Sequence, residues 1–167
     1  MTANDSEILK WTMNDNEWQI HDSIPNPVVY ERDQFISSYD NIRNVLVLFG
    51  GSANGEFRND TWEWDGTEWT LILPENRPKP QYQHRLAFDS SRELTILVGE
   101  DEESGAPRNA SVWTWDGMDW TQETPLSMMG SRASFGLAYD SHRNVLVVFG
   151  GYGWSTPDAT EKTTQSD

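Results

Sequence analysis

The chain has 167 residues, enough for one ordinary domain, and its 27 acidic and 12 basic residues give a formal net charge of -15. Such a surface repels the phosphates of nucleic acids and anionic lipids, so we expect no nucleic-acid partner and no membrane insertion. The sequence contains no cysteine, which excludes disulfides and cysteine-ligated metal sites, and no other metal-binding motif is evident, so we predict no metal and no cofactor.

The first predicted element is a tryptophan-bearing hairpin at 9–21, with the sequence WTMNDNEW at its centre. The same pattern returns 51 residues later as WEWDGTEW, and after another 51 residues as WTWDGMDW. The tryptophans alternate with polar residues, which predicts a strand, and the Asp-Gly pair predicts a tight turn into a second strand. We expect Asn-Asp to make the same turn in the first copy.

A second kind of strand pair alternates with these hairpins. Its two strands are joined by a turn in which an Asp lies three residues before an Arg, as in Asp40 and Arg43, and its second strand is a run of Val, Leu and Phe. We interpret Asp and Arg as turn residues, and the apolar run as a strand buried on both faces. The predicted strand pairs are, in chain order, 9–21, 35–50, 60–73, 84–99, 111–122 and 134–150.

Each complete unit therefore has four short antiparallel strands. The Val/Leu pair supplies its first and second strands, and the tryptophan hairpin supplies its third and fourth. Twelve predicted strands make three such units, with one unit split between the two ends of the chain. Residues 153–167 are polar and without pattern, so we predict a folded region at 1–152 and a mobile polar tail at 153–167.

Four-stranded units at this spacing resemble the kelch-repeat β-propellers, in particular bacterial kelch-type proteins and the central domain of galactose-oxidase-like proteins. The resemblance rests on the words NDTWEWDG at 59–66, on the spaced aromatics, and on the double glycine after the second strand. It implies an all-β fold whose tryptophans fill the space between neighbouring blades. The double glycine is broken at Gly99-Glu100, where we expect a different turn. The structural repeat positions are Trp11, Trp18, Trp62, Trp64, Trp69, Trp113, Trp115, Trp120, Gly50, Gly51, Gly150 and Gly151.

Propellers close with about four to eight blades, so three blade-equivalents are too few for a ring. We expect two chains to form one six-bladed ring as a homodimer, each completing the split blade of the other. The alternatives are a fragment of a longer kelch protein, another oligomer, or a distorted monomer. The N-terminus lacks the pattern of a secretory signal, which favours the cytoplasm but leaves the compartment open.

Function is expected on the face that carries the longer, variable loops, at 22–34, 51–59, 73–83, 100–110, 123–133 and from 151 onward. Variable loops on a rigid scaffold are the usual place for binding, and these loops hold most of the basic residues. They predict an anionic or polar ligand, such as an acidic glycan or a carboxylate-bearing peptide. The alternative is that the arginines offset nearby acids. The candidate ligand-binding residues are Arg32, Arg58, Arg77, Tyr82, Arg108, Arg132, Tyr152 and Trp154, and the same loops also carry Lys79.

No pattern in the sequence predicts catalytic residues. The histidines fall at unrelated points of the repeat, and no nucleophile elbow, zinc-protease or phosphate-loop motif occurs. The oxidases of the resembled family need a cysteine bonded to tyrosine, which this chain lacks. We assign His84 to packing. The sequence favours a non-catalytic binding module, with a sugar-modifying, isomerase-like enzyme and a structural unit of a longer protein as alternatives.

Overall fold

The computed structural model describes residues 8–21, 32–81, 83–100, 110–125, 129–130 and 132–153. Every helix or strand in these ranges is a β-strand, and every pairing is antiparallel, so the all-β prediction is confirmed. Within the described ranges, no helix is long and apolar enough to cross a membrane. The predicted tail at 153–167 begins one residue too early, because Gly153 belongs to a strand, and residues 154–167 lie outside the described residues.

The first half of the described chain contains seven strands. They are β1 (Ile8–Thr12), β2 (Glu17–His21), β3 (Arg32–Asp33), β4 (Ile36–Asp40), β5 (Val45–Ala53), β6 (Glu56–Trp64) and β7 (Trp69–Ile72).

The second half contains eight strands. They are β8 (Arg85–Asp89), β9 (Leu94–Glu100), β10 (Ala110–Trp115), β11 (Trp120–Glu123), β12 (Arg132–Ala133), β13 (Gly136–Asp140), β14 (Val145–Phe149) and β15 (Tyr152–Gly153).

Two complete sheets form from consecutive strands, as the sequence predicts. The first sheet has the order β4-β5-β6-β7, with β3 pairing against the far end of β5. The second sheet has the order β8-β9-β10-β11. The strands β1 and β2, β13 and β14, and β12 and β15 form three separate pairs.

The prediction of a long loop at 51–59 is wrong. Strand β5 continues through a bulge at its double glycine to Ala53, and β6 begins at Glu56. Asn54 and Gly55 both have positive φ, at 55° and 78°, which is the requirement of a two-residue hairpin turn. The double glycine bends the strand without ending it, because Gly50 and Gly51 adopt left-handed conformations that other residues avoid.

The Asp–Arg turns are built as predicted. Asp40 Oδ1 accepts the amides of Ile42 and Arg43, and Asp40 Oδ2 accepts Arg43 Nε at 2.7 Å. The aspartate thus holds the turn through the backbone and the arginine through its side chain. The same arrangement recurs in the next two units, with Asp89 and Arg92, and with Asp140 and Arg143.

The main core lies between the first and second sheets. Val47 and Phe49 of β5 are buried against Leu97, Trp115 and Trp120 of the second sheet. The rings of Phe49 and Trp120 meet nearly edge to face, with centroids 5.3 Å apart. These tryptophans fill the space between sheets, as predicted from the repeat.

A second apolar contact joins the second sheet to the hairpin β13–β14. Ile96 and Val98 of β9 pack with Phe135, Leu146 and Val148. As a result, the first strands of successive units lie side by side, with β4 contacting β8 and β8 contacting β13. Each sheet therefore gains its core from the next one along the chain.

The N-terminal tryptophans depart from the packing prediction. Trp11 and Trp18 lie opposite each other across β1–β2, with centroids 5.3 Å apart, but they are 43% and 60% exposed. In β6–β7 the facing pair is Trp64 and Trp69, one residue nearer to the turn. The two turns have the same length, because Thr12 pairs with Glu17 between the tryptophans and the N-terminal turn, and Asn16 in that turn lies in the left-handed region.

The double glycine offers a test of this fold. An Ala at Gly51, where φ is 93°, would place Cβ 2.7 Å from the Asp33 carbonyl oxygen, whereas Cβ at Gly55, where φ is 78°, would meet nothing within 4 Å. We expect Gly55→Ala to lower the free energy of unfolding by about 1–2 kcal/mol through the left-handed backbone alone. We expect a larger loss for Gly51→Ala, measured by urea unfolding. Equal losses would contradict the close approach of β3 to β5.

Candidate functional site

A polar cleft lies beside the second sheet, where the β7–β8 connection passes the ends of β9, β10 and β11. Its volume is about 230 Å³. The connection supplies two exposed cations and an amide, and the sheet supplies an indole, a hydroxyl, an amide and a carboxylate. The lining residues are Arg77, Lys79, Gln81, Glu100, Ser111, Trp113 and Gln122.

The connection that carries the cations is braced on both sides. Asn59 Nδ2 donates a hydrogen bond to the Pro78 carbonyl at 3.2 Å. Asn76 donates to both carboxylate oxygens of Asp119, from its amide at 2.7 Å and from its side chain at 2.6 Å. These bonds from Asn76 lower the pKa of Asp119. Arg77 and Lys79 are therefore exposed residues on a segment that is held between the first and second sheets.

The floor of the cleft depends on the broken double glycine. Gln81 is buried, and its Oε1 accepts the amide of Glu100 at 3.2 Å. A Cβ at Gly99 would collide with the Gln81 side chain, so the glycine is needed for space. Gly99 does not take the left-handed conformation of Gly50, and the expected difference in this turn is confirmed.

Trp113 contributes its indole from the middle of β10. It is half-buried, packing on one side against the core between the two sheets, and it also lines the cleft. Ser111, two residues earlier, lies on the same face of the strand and lines the same cleft. The alternation of β10 thus pairs a hydroxyl with an aromatic surface.

Arg32 was predicted to bind ligand, and the structure gives it a different role. Its side chain is fully buried, and its guanidinium forms a two-pronged ion pair with Asp60, at 2.6 and 2.7 Å. It also donates to the carbonyl of Gly50 at 2.7 Å. Burial acts to raise the pKa of Asp60, but the bonds from Arg32 and Trp62 outweigh it, and the pKa is lowered. Arg32 braces β3, β5 and β6.

The other predicted residues that the structure describes do not line this cleft. Arg58 lies on β6 and approaches Glu56 at 3.5 Å, and Arg132 donates to the Gly150 carbonyl at 2.7 Å. Tyr152 is exposed on β15. A second depression, of about 380 Å³, includes Arg32, whose charge is compensated by the ion pair with Asp60. The predicted residues outside the described part of the chain are Tyr82, Arg108 and Trp154.

Of the predicted ligand-binding residues, Arg77 lines the cleft, and Lys79 was recognised only as one of the basic residues of the loops. The sequence assigned the tryptophans, Trp113 included, mainly to packing, with a sugar-stacking surface as the alternative. The signals that could have found the site are the same-face spacing of Ser111 and Trp113, and the replacement of a double glycine by Gly99-Glu100. Gln81 carries no local signal, because its partner lies 19 residues away.

His84 is a packing residue in this structure. It is buried at the edge of Phe49, and its Nε2 lies 3.0 Å from the Phe49 carbonyl oxygen. Burial, aided by the neighbouring charge of Arg85, lowers the pKa of His84 to about 4, so the ring is neutral near pH 7. Among the described residues, no group of three or more histidine or acidic side chains could hold a metal ion.

No model of a known protein family matches this sequence, and no curated protein matches it either. The geometry of the cleft is therefore the basis on which a function can be assigned.

The buried histidine predicts a pH dependence of stability. Its pKa is about 4 in the folded chain against 6.5 for the free side chain, so between these values the unfolded chain binds more protons. The free energy of unfolding should rise by about 3 kcal/mol from pH 4 to 6.5 because of this group. We expect His84→Gln to lose that slope in urea titrations, and His142→Gln, at an exposed turn, to keep it. An unchanged slope in His84→Gln would contradict the burial of a neutral ring.

Proposed function

We propose that this chain is a non-catalytic binding module built from kelch-type propeller blades, and that its cleft binds an acidic sugar unit of a glycan. The observation that carries the proposal is the grouping of two exposed cations, Arg77 and Lys79, with the indole of Trp113 around one braced cleft. The glycan class and the propeller scaffold are both part of the proposal.

The scaffold is supported by the strand order. Both complete sheets run first to fourth strand without a crossover, as blades do, and the first strands β4, β8 and β13 lie in a row. In such an arrangement the first strands line a central axis, and the connections between units cluster at one end. The β7–β8 connection, which carries the cations, is one of these.

The chemistry of the lining suits a charged sugar. The indole of Trp113 offers an apolar face for the C–H side of a sugar ring. The amides of Gln81 and Gln122 and the hydroxyl of Ser111 can donate to and accept from sugar hydroxyls. The exposed guanidinium of Arg77 can bind a carboxylate with two parallel hydrogen bonds, and Lys79 adds a second positive charge.

The size of the cleft favours one sugar unit at a time. Its volume of about 230 Å³ is below the range of about 300–1,000 Å³ that is usual for drug-sized ligands. A single charged ring fits this space, and the rest of a glycan would run over the surface. Pre-set side chains on a braced segment also reduce the entropy lost on binding.

Among the described residues, the lining of the cleft does not contain the pair of acids that sugar hydrolysis needs. Glu100 is the one carboxylate among the described residues that line it, whereas glycosidases use two. The nearby His84 is buried behind Gln81 and neutral near pH 7, so a single acid in the lining supports binding over an isomerase-like activity. A purely structural unit of a longer protein would bind no sugar selectively, so a binding experiment distinguishes this alternative from a binding module.

Calorimetric titration of an oligosaccharide ending in a uronic acid, alongside its neutral counterpart, tests the proposal. We expect Arg77→Ala to weaken binding of the acidic sugar about tenfold or more, since a charge-assisted hydrogen bond contributes about 1.5–3 kcal/mol. The same substitution should weaken binding of the neutral sugar by a smaller factor. Arg58→Ala is the matched control, because this substitution removes the same charge outside the cleft. The affinity of the Arg58→Ala chain for the acidic sugar should stay within about twofold of that of the parent chain.

Three outcomes would count against the proposal. If Arg77→Ala binds as well as the parent, the cleft is not the site. If an acidic peptide binds and the oligosaccharide does not, the glycan class is wrong. If the oligosaccharide is consumed during the titration, the chain is an enzyme.

A further inference from the structure

Strand β14 presents an apolar face that its counterpart in the first sheet buries completely. The sequences VLVLFGG and VLVVFGG differ at one position, and Val147 and Phe149 correspond to Val47 and Phe49. Val47 and Phe49 are both 0% exposed, whereas Val147 is 45% and Phe149 is 81% exposed. The same side chains that form the centre of the core in one unit are open to solvent in another.

The backbone edge of β14 is open as well. In both complete sheets the second strand pairs with a third strand, β5 with β6 and β9 with β10. Among the described strands, β14 pairs only with β13. An apolar strand with an unpaired edge is a template for another strand.

The hairpin β1–β2 has the complementary deficiency. It is the counterpart of β6–β7 and β10–β11, which supply third and fourth strands, but within the described chain it has no second strand beside it. Its tryptophans, Trp11 and Trp18, are exposed, whereas their counterparts in β10–β11 are half-buried (Trp113) and buried (Trp120). The described part of one chain therefore contains the first half of a four-stranded unit and the second half of another, and no described strand covers either of them.

We propose that a second copy of this chain covers both surfaces. Strand β14 of one subunit pairs with β1 of the other, and the reverse pairing occurs at a second, identical contact. Each contact makes a four-stranded sheet in the order seen in the two complete sheets. The arrangement is two-fold symmetric and closed, so association stops at the dimer.

The contact between the two complete sheets indicates what covers Phe149. Phe49 packs against Trp120, which pairs with Trp115 at 5.3 Å between ring centroids. The first sheet carries the equivalent pair, Trp64 and Trp69, at 5.7 Å. In the dimer, Phe149 is therefore placed against Trp69 of the partner subunit.

The net charge of the chains opposes this association, so the salt dependence of the dimer provides a further test. Each chain carries a formal net charge of -15, so two chains repel. Apolar burial and strand pairing must outweigh that repulsion. Salt at about 0.15 M shortens the screening length to about 8 Å, from about 30 Å at 0.01 M. The dimer is therefore expected to tighten as salt is added, opposite to an association driven by ion pairs.

The primary experiment is light scattering after size exclusion of the full chain. The mass should be twice the 19.1 kDa of one chain. Phe149→Glu should halve it, because a charge cannot be buried in that contact without a large cost. Met118→Glu is the matched control: Met118 is 78% exposed on the turn between β10 and β11, and its substitution should leave the mass at twice the chain.

A mixing experiment tests the reciprocal geometry. Trp18→Glu alters the other side of the contact and should also give a monomer. A mixture of Phe149→Glu and Trp18→Glu chains keeps one unaltered contact per pair, so the mixture should regain part of the twofold mass. Circular dichroism should show that each altered chain keeps its strand content, since both side chains are exposed in the single chain.

A parent chain that stays monomeric at every concentration would overturn the proposal, and some other segment must then cover β14. Retention of the dimer in Phe149→Glu would overturn it as well, as would a mixture that stays monomeric. The cleft lies within one chain, so a monomeric Phe149→Glu protein is still expected to bind the acidic sugar. Failure of the dimer and failure of the ligand proposal are therefore distinguishable.

Discussion

The structure depends on one constraint: a small sheet that is apolar on both faces must be covered on both faces. Val47 and Phe49 on β5 meet Trp115 and Trp120 of the next sheet, and few other large side chains are available, since aromatic residues make up 12% of the chain. Burying an aromatic ring removes about 150–250 Å² from water, worth about 4–6 kcal/mol as an upper estimate at 25 cal/mol/Å². Stacking of sheets is thus the main source of stability.

The polar atoms of this core explain why its tryptophans sit where they do. Trp120 Nε1 donates to Thr61 Oγ1, and Trp115 Nε1 donates to Glu63 Oε1, both at 2.9 Å. Glu63 also accepts Arg43 Nη1 at 2.7 Å, which links the turn of one sheet to the core of the next. A buried indole N–H without a partner would cost about 1–3 kcal/mol, so these bonds favour one register of sheet against sheet.

The same constraint relates the proposed ligand site to the proposed dimer. Stacking brings the β7–β8 connection against the second sheet, where the bonds of Asn76 to Asp119 brace it and the cleft forms. At the open end of the row, the face of Phe149 has no neighbour in the described chain, and a second copy is the inferred cover. The proposed binding and the proposed self-association thus both follow from the same packing rule, one where a neighbouring sheet is present and one where it is missing.

The sequence by itself determined the elements whose causes are local. Alternating tryptophans, the Asp-Gly pair and the Asp–Arg turn act within about ten residues, so strands, hairpins and their order could be read directly. Tertiary structure alone decided the role of Arg32, whose acid partner lies 28 residues away, and the position of Gln81 over Gly99. Tertiary structure also decided that the double glycine at Gly50 bends a strand that continues. Left-handed glycines occur in bulges as well as in loops, so the pairing with neighbouring strands decides which of the two forms.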